Sequence, residues 1–311
     1  MTLRASLLAT TGEANRDIAA ADPVAMRRAL LAWYRPRRTA YPWRGADPFG
    51  VLVSEVMLQQ TQAARVVLRY VAFVERFPSG EALAAASRAE VLRAWGNLGY
   101  PRRAVALHEA ARAVVRDHGG RVPADPAELR LLPGVGPYTA AAVASLGHGR
   151  RVPALDTNVR RVVARARLGA EPHGLPAARL AGEAAAWMGR GDSRSFTQAV
   201  MDLGREVCRP RPRCDTCPLR RGCRFRLEGG RPERSPRHQA RFQGSLRQVR
   251  GAVLAELRER GSASMARLAA VTGHAPDRVR DAVRGLAADG VVAAGPVALV
   301  GGSSGRVRLP G

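Results

Sequence analysis

All four cysteines of this 311-residue chain lie within one stretch, CRPRPRCDTCPLRRGC, as Cys208, Cys214, Cys217 and Cys223. Four thiolates spaced C-x5-C-x2-C-x5-C suit either a [4Fe–4S] cluster or one tetrahedral zinc ion. Structural zinc usually takes two C-x2-C knuckles, and the single knuckle here leans toward iron–sulfur. Arg209, Arg211, Arg213, Arg220 and Arg221 surround the cysteines, so a bound group would also stiffen a loop able to meet phosphates. Two carboxylates offer a second chemistry. Glu55, within SEVMLQQT, is flanked by Leu52, Val53, Val56, Met57 and Leu58. Read alone it is a solvated helix glutamate. Apolar burial would raise its pKa and make it a general acid near neutral pH. Asp156, within LDTNVRR, stands where a helix N-cap is the default. Facing Glu55, it would complete a two-carboxylate site of the kind that breaks glycosidic bonds through an oxocarbenium-like state.

A third motif, LPGVGPYT from Leu132 to Thr139, separates two helical stretches. Gly134 and Gly136 permit a tight hairpin and leave backbone N–H groups at the next helix N-terminus, an anion site that can hold a phosphate without reading sequence. The same pattern also serves as a plain helix–helix turn.

The elements that must position these residues are mostly helical. From Pro23 to about Phe225, apolar residues three and four apart alternate with Gly/Pro punctuation, predicting helices over Ala25–Tyr34, Val51–Arg76, Arg88–Gly96, Arg103–Asp117 and Thr139–Leu146. Residues 1 to about 22 read as a loose tail, and 226–245, polar and basic, as a linker. Residues 246–311 then predict three helices, the third capped by Asp277, followed by two or three short strands. That is the order of a winged-helix-like α+β domain, with Arg278, Arg280 and Arg284 on its third helix able to meet DNA. A solvated protein-docking face is the alternative.

Fifty basic residues against 26 acidic ones give a formal charge of +24, which favours polyanions. Every basic residue is arginine, so no lysine is available to form a Schiff base. The most apolar run, Gly50–Leu58, is interrupted by Glu55 and too short to span a bilayer. The expectation is no membrane, a monomer, and a reducing cytoplasm with the nucleoid as the working place, where clustered cysteines bind metal rather than pair.

LPGVGPYTA, the LDTNV aspartate and the cysteine loop, in this order, resemble the helix-hairpin-helix DNA glycosylases with an iron–sulfur loop (endonuclease III-like). SEVMLQQTQ, Trp43-Arg44 and FTQAVMDLG (Phe196–Gly204) narrow the resemblance, over about Ala40 to Cys223, to the MutY-type adenine-DNA glycosylases. It implies a bilobal, mainly α fold and a monofunctional enzyme that flips an adenine mispaired with 8-oxoguanine or guanine out of double-stranded DNA and hydrolyses its N-glycosidic bond. By motif, Glu55 would protonate the base and Asp156 would stabilise the sugar cation, supported by Asn158 and Tyr138. Trp43, Arg44 and Asp202 would line the base pocket, and Gln60, Thr61, Leu98 and Tyr100 would pry into the stack, the last two as an apolar, exposed wedge. The lyases of this fold carry a lysine nucleophile where this chain has Tyr138. Three departures stand out: a first cysteine gap of five residues where six is common, Pro101 after GNLGY, and Thr157 after the aspartate. Many relatives carry a Nudix-like domain where this sequence has the winged-helix-like segment. A thymine or uracil mismatch glycosylase of the same fold, and a catalytically silent iron–sulfur regulator using the winged helix, are the other readings.

Overall fold

The computed structural model describes residues 22–232 and 241–311. The first 21 residues of the expected tail and residues 233–240 of the linker lie outside them. The chain divides into two compact units, one built from the described parts of Met1–Arg38 and Pro153–Ser235, the other from Thr39–Val152 and Pro236–Gly311.

Helix α1 (Pro23–Tyr34) opens the first unit; Asp22 caps it by accepting from the N–H groups of Val24 and Ala25 at 2.9 and 3.2 Å. The second unit then begins. Asp47 accepts from the Gly50 N–H at 2.8 Å and Pro48 fills the first turn, starting α2 (Pro48–Leu58). Every residue of α2 from Phe49 to Met57 is buried, as a helix apolar on all sides must be. The expected helix over Val51–Arg76 is broken: α2 stops at Leu58 and α3 (Ala63–Arg76) restarts after a polar turn in which Gln60 adopts φ +55°. Three consecutive polar side chains, Gln59 to Thr61, interrupt the apolar repeat there, so nothing drives the helix onward. Next come α4 (Gly80–Ala85), α5 (Arg88–Trp95), started by a Ser87/Glu90 capping box, and the 17-residue α6 (Arg102–His118), closed by left-handed Gly119. Short α7 (Pro126–Leu129) leads through LPGVG into α8 (Pro137–Ala142), which continues as a π-helical turn over Val143–Gly147 and packs beside α2.

The chain returns to the first unit with α9 (Thr157–Leu168), α10 (Ala177–Met188), α11 (Ser193–Glu206) and α12 (Arg224–Leu227). Trp187 and Phe196 meet edge to face at 5.3 Å in its core, with Leu30, Val163 and Leu203. Burying such a side chain contributes about 1.5–3 kcal/mol. Ordered backbone continues past Phe225, because α12 extends to Leu227 and the Gly230 N–H donates to the Phe225 carbonyl at 2.7 Å.

Helices α13 (Leu246–Arg260), α14 (Met265–Thr272) and α15 (Pro276–Ala288) confirm the three expected in the C-terminal segment. The cap of α15 is Ala275 with Pro276 behind it; Asp277 lies within the first turn instead. One strand was not foreseen: β1 (Ser262–Ser264) precedes α14 and, with β2 (Ala293–Ala294) and β3 (Arg306–Arg308), forms a sheet of order β1-β3-β2, with α16 (Pro296–Leu299) between the last two strands. Val307, opposite Ala263 and Ala294, is fully buried, while Arg306 and Arg308 face out. This segment shares a core with residues 39–152. The Arg93 Nε donates to the Arg258 carbonyl and the Arg258 Nε to the Leu92 carbonyl, both at 3.3 Å. The α15 arginines expected to meet DNA have partners at home. Arg278 donates to the Gly244 carbonyl and Arg284 to the Leu299 carbonyl, while Arg280 pairs with Asp281 at 3.5 Å. No described helix is long and apolar enough to cross a membrane.

Candidate active site

Glu55 sits mid-way along α2 and is 5% exposed, so the solvated alternative is excluded. Beyond it the helix ends in the Gln59–Thr61 turn, where Gln60 is exposed and Thr61 half-buried. The Gln59 amide Nε2 lies 3.3 Å from the Thr139 hydroxyl, tying the end of α2 to α8. Tyr138, half-buried, occupies the first turn of α8. Upstream of α2, Trp43 stacks on Tyr41 at 4.8 Å and abuts the Tyr70 ring edge at 5.5 Å, and the Arg44 guanidinium lies 5.2 Å from the Tyr41 ring.

The hairpin needs one of its two glycines for conformation. Gly134 has φ +75° and a Cβ there would fall 2.7 Å from the Ala106 Cβ. Gly136 has φ −85° and open space around it, so it serves backbone exposure rather than the turn. Gly134→Ala is therefore expected to cost about 1–2 kcal/mol from the left-handed backbone alone, and Gly136→Ala to stay within about 0.5 kcal/mol of the parent. Urea unfolding of the two variants measures the difference, and equal losses would contradict it.

The wedge expectation splits. Leu98 is 3% exposed and belongs to the core, so it is no exposed wedge; its apolar chain anchors the GNLGY loop in the hydrophobic core of the second unit. Asn97 is exposed in its place, and Tyr100 is half-buried with φ +46°. Between this loop, the Gln59–Thr61 turn and the hairpin lies a cavity of about 290 Å³, lined among others by Gln60, Tyr100, Arg103 and Gly134. Arg103 was not singled out by sequence reasoning. Its guanidinium is buried, and burial lowers its pKa to about 10, which leaves it charged at neutral pH.

In the first unit Asp156 is the N-cap of α9, accepting from the Val159 N–H at 2.6 Å through Oδ1 and from the Asn158 amide at 3.0 Å through Oδ2. Burial pushes its carboxyl above the ordinary aspartate value, against the pull of those two donors. Asn158 is fixed in turn: its Oδ1 accepts from the Arg161 Nη2 at 2.8 Å, and a Cβ on Gly204 of α11 would lie 2.7 Å from the Asn158 Cβ. Arg161 also donates to the Gly204 and Cys208 carbonyls, at 2.7 and 2.6 Å. Asp202, 4% exposed on α11, pairs with Arg205 at 3.1 Å.

The four cysteines line one hollow with Val207, Arg165 and Phe225, and all four are free thiols. Cys208 follows α11, Cys214 and Cys217 bracket a single 3₁₀ turn, and Cys223 caps α12. Burial raises the Cys208 and Cys223 thiols and pushes Cys217 to about 12, and the other cysteines' charges add to each rise. The four half-buried sulfurs line one space, and a shared cationic core there would favour the thiolates that burial disfavours at Cys208, Cys217 and Cys223. Among the described residues no three Cys, His, Asp or Glu side chains converge closely enough to hold a single metal ion. Four cysteines lining one hollow fit a group held by four thiolates. Arg165 braces the loop by donating to the Arg209 and Pro210 carbonyls, at 2.7 and 3.1 Å, and pairing with Glu171 at 2.7 Å.

The HhH-GPD superfamily base excision DNA repair protein family matches residues 53–180. The chain is 49% identical over 235 residues to an adenine DNA glycosylase of Mycobacterium tuberculosis, covering 74% of this chain and 77% of that protein. It is 44% identical over 285 residues to the adenine DNA glycosylase of Mycolicibacterium smegmatis, covering 89% and 97%. Among solved structures, a thermostable thymine-DNA glycosylase superposes with a TM-score of 0.62 at 30% identity, covering 66% of this chain and 97% of that one. The chain belongs to the adenine DNA glycosylases of this superfamily.

Proposed function

We propose that the chain excises adenine mispaired with 8-oxoguanine or guanine from double-stranded DNA, by base flipping and acid-assisted hydrolysis of the N-glycosidic bond. The observation that carries this reading is Glu55, a carboxyl 5% exposed within an otherwise apolar helix, in a chain 49% identical to an adenine DNA glycosylase. A base inside the stack is out of reach, so the nucleotide must be extruded before chemistry. Glu55 then delivers its proton to a ring nitrogen, turning adenine into a neutral leaving group, and afterwards orients the attacking water. Asp156, ionised, stabilises the sugar cation, with Asn158 and Tyr138 in support. Trp43, Arg44 and Asp202 receive the base; Gln60, Thr61 and Tyr100 meet the distorted strand; the N–H groups near Gly134 and Gly136 hold a phosphate. Leu98 supports this loop from the core.

Cys208, Cys214, Cys217 and Cys223 would hold a [4Fe–4S] cluster whose part is to keep the arginine-rich loop in its DNA-contacting shape. Cys214→Ser is expected to lose most of the bound iron and brown colour and to bind DNA at least about tenfold more weakly. Full affinity in an iron-free protein would contradict this.

The chain has no lysine, so the products are free adenine and an unbroken strand carrying an abasic site. Single-turnover assays on duplexes with adenine opposite 8-oxoguanine, adenine opposite guanine and thymine opposite guanine test the whole reading. Strand breaks at adenine that need alkali are the expected result. No release from either adenine duplex would overturn it, and release from the third alone would assign thymine. A silent regulator is not favoured, because the family is one of enzymes and both carboxyls are present.

A further inference from the structure

Two non-glycine residues have a positive φ among the described residues, Gln60 at +55° and Tyr100 at +46°. Each such conformation costs about 1–2 kcal/mol and persists where surrounding contacts over-determine it. The two lie in different loops, yet one side chain holds both. The Arg103 Nη1 donates to the carbonyls of Val56, Met57 and Gln59, at 2.8, 3.1 and 2.6 Å, which α2 leaves without partners at its C-terminus. Its Nη2 donates to the Thr61 hydroxyl at 3.2 Å and to the Gly99 carbonyl at 3.1 Å. The same guanidinium lies 5.3 Å from the ring centroids of both Trp95 and Tyr100. Trp95 Nε1 reinforces the loop by donating to the Gly99 carbonyl at 3.1 Å.

We infer that Arg103 is a positioning residue that locks the Gln59–Thr61 turn and the Gly99–Tyr100 loop into one rigid reader of the mispair, and so sets how strongly the protein prefers mispaired over paired DNA. The inference rests on the proposed reading that Gln60, Thr61 and Tyr100 meet DNA beside the mispair. Five acceptors in fixed directions suit a planar fork. A lysine ammonium keeps the charge but has three donors and no such plane, so it would hold one loop at the expense of the other. A plain helix cap would act otherwise, lowering stability and weakening all DNA binding alike.

The test compares Arg103→Lys, the milder Trp95→Phe, Tyr100→Ala, and Arg103→Lys combined with Tyr100→Ala, each as the full chain with its cluster. The readouts are dissociation constants for duplexes with adenine opposite 8-oxoguanine and adenine opposite thymine, and the base-release rate at saturating enzyme. Arg103→Lys is expected to lower the preference for the mispair about tenfold and Trp95→Phe about threefold, with the saturating rate changing less than about threefold. Arg103→Lys should cost less preference when added to Tyr100→Ala than when made in the parent, since one of the two loops it holds is already disabled and only the Gln59–Thr61 turn remains to be loosened. An unchanged preference with uniformly weaker binding would overturn the inference. If Arg103→Lys fails to fold, the preference of folded Trp95→Phe decides in the same way. An unaltered chain that shows no preference would instead overturn the proposed function, and this inference with it.

Discussion

A Glu55→Gln chain is expected to bind mispaired duplex DNA as tightly as the parent and to release adenine about 10²–10⁴-fold more slowly, the usual worth of positioned proton transfer. Glutamine matches glutamate in shape but has no proton to give at neutral pH. Helix α2 is held by contacts that do not involve residue 55: the Asp47 cap at one end, the Arg103 bonds at the other, and the buried apolar residues between. The altered chain should therefore stay folded, and its loss should fall on the rate at saturating enzyme rather than on binding. A single-turnover time course beside a binding titration separates the two. Release at the parent rate would show that another group supplies the proton and would remove the role assigned to Glu55.

The helices, their order and the winged-helix-like segment were legible because they rest on local periodicity and caps, which a sequence displays directly. Glu55 and Asp156 were legible as candidates, but the burial of Glu55 was not, since a glutamate in a helix is usually solvated and only packing on every side of α2 decides otherwise. Leu98 misled in the opposite sense. An apolar residue in a short glycine loop can be exposed or pinned, and here the loop folds inward on it. The break after Leu58 was hidden because glutamine is a good helix former, and the signal against helix lay only in the missing apolar repeat. Arginine was the hardest residue to interpret. With 50 of them in the chain, Arg103, Arg161 and Arg165 look like the solvated face of their helices, whereas each is buried and gathers carbonyls from a different segment. Long-range acceptors leave no local trace, so no spacing rule could have found them.

Asp156→Asn is expected to show that function here works against stability. The variant should release adenine about 10²–10³-fold more slowly, the scale of losing one preorganised group aimed at developing charge. It should also melt no lower than the parent. Asparagine caps helices as well as aspartate does, so the bond from the Val159 N–H survives. The Asn158 amide loses its acceptor on residue 156, a loss offset by the removal of a buried charge. Burial raises the folded-state pKa of Asp156 above the 3.8 of an ordinary aspartate, outweighing the hydrogen bonds that favour the anion. The folded state therefore binds this proton more tightly than the unfolded one, and stability from this group is full below 3.8 and lost as pH rises through the raised value. At neutral pH the ionised carboxylate is a net cost, which asparagine removes. The parent's rate should also fall on acidification at a higher pH than a free aspartate would give, because protonated Asp156 cannot stabilise a sugar cation, and that limb should be absent from the variant's residual rate. Thermal melts and pH–rate profiles of the two proteins check both halves. A variant that melts lower while keeping most of its rate would make Asp156 a helix cap and nothing more.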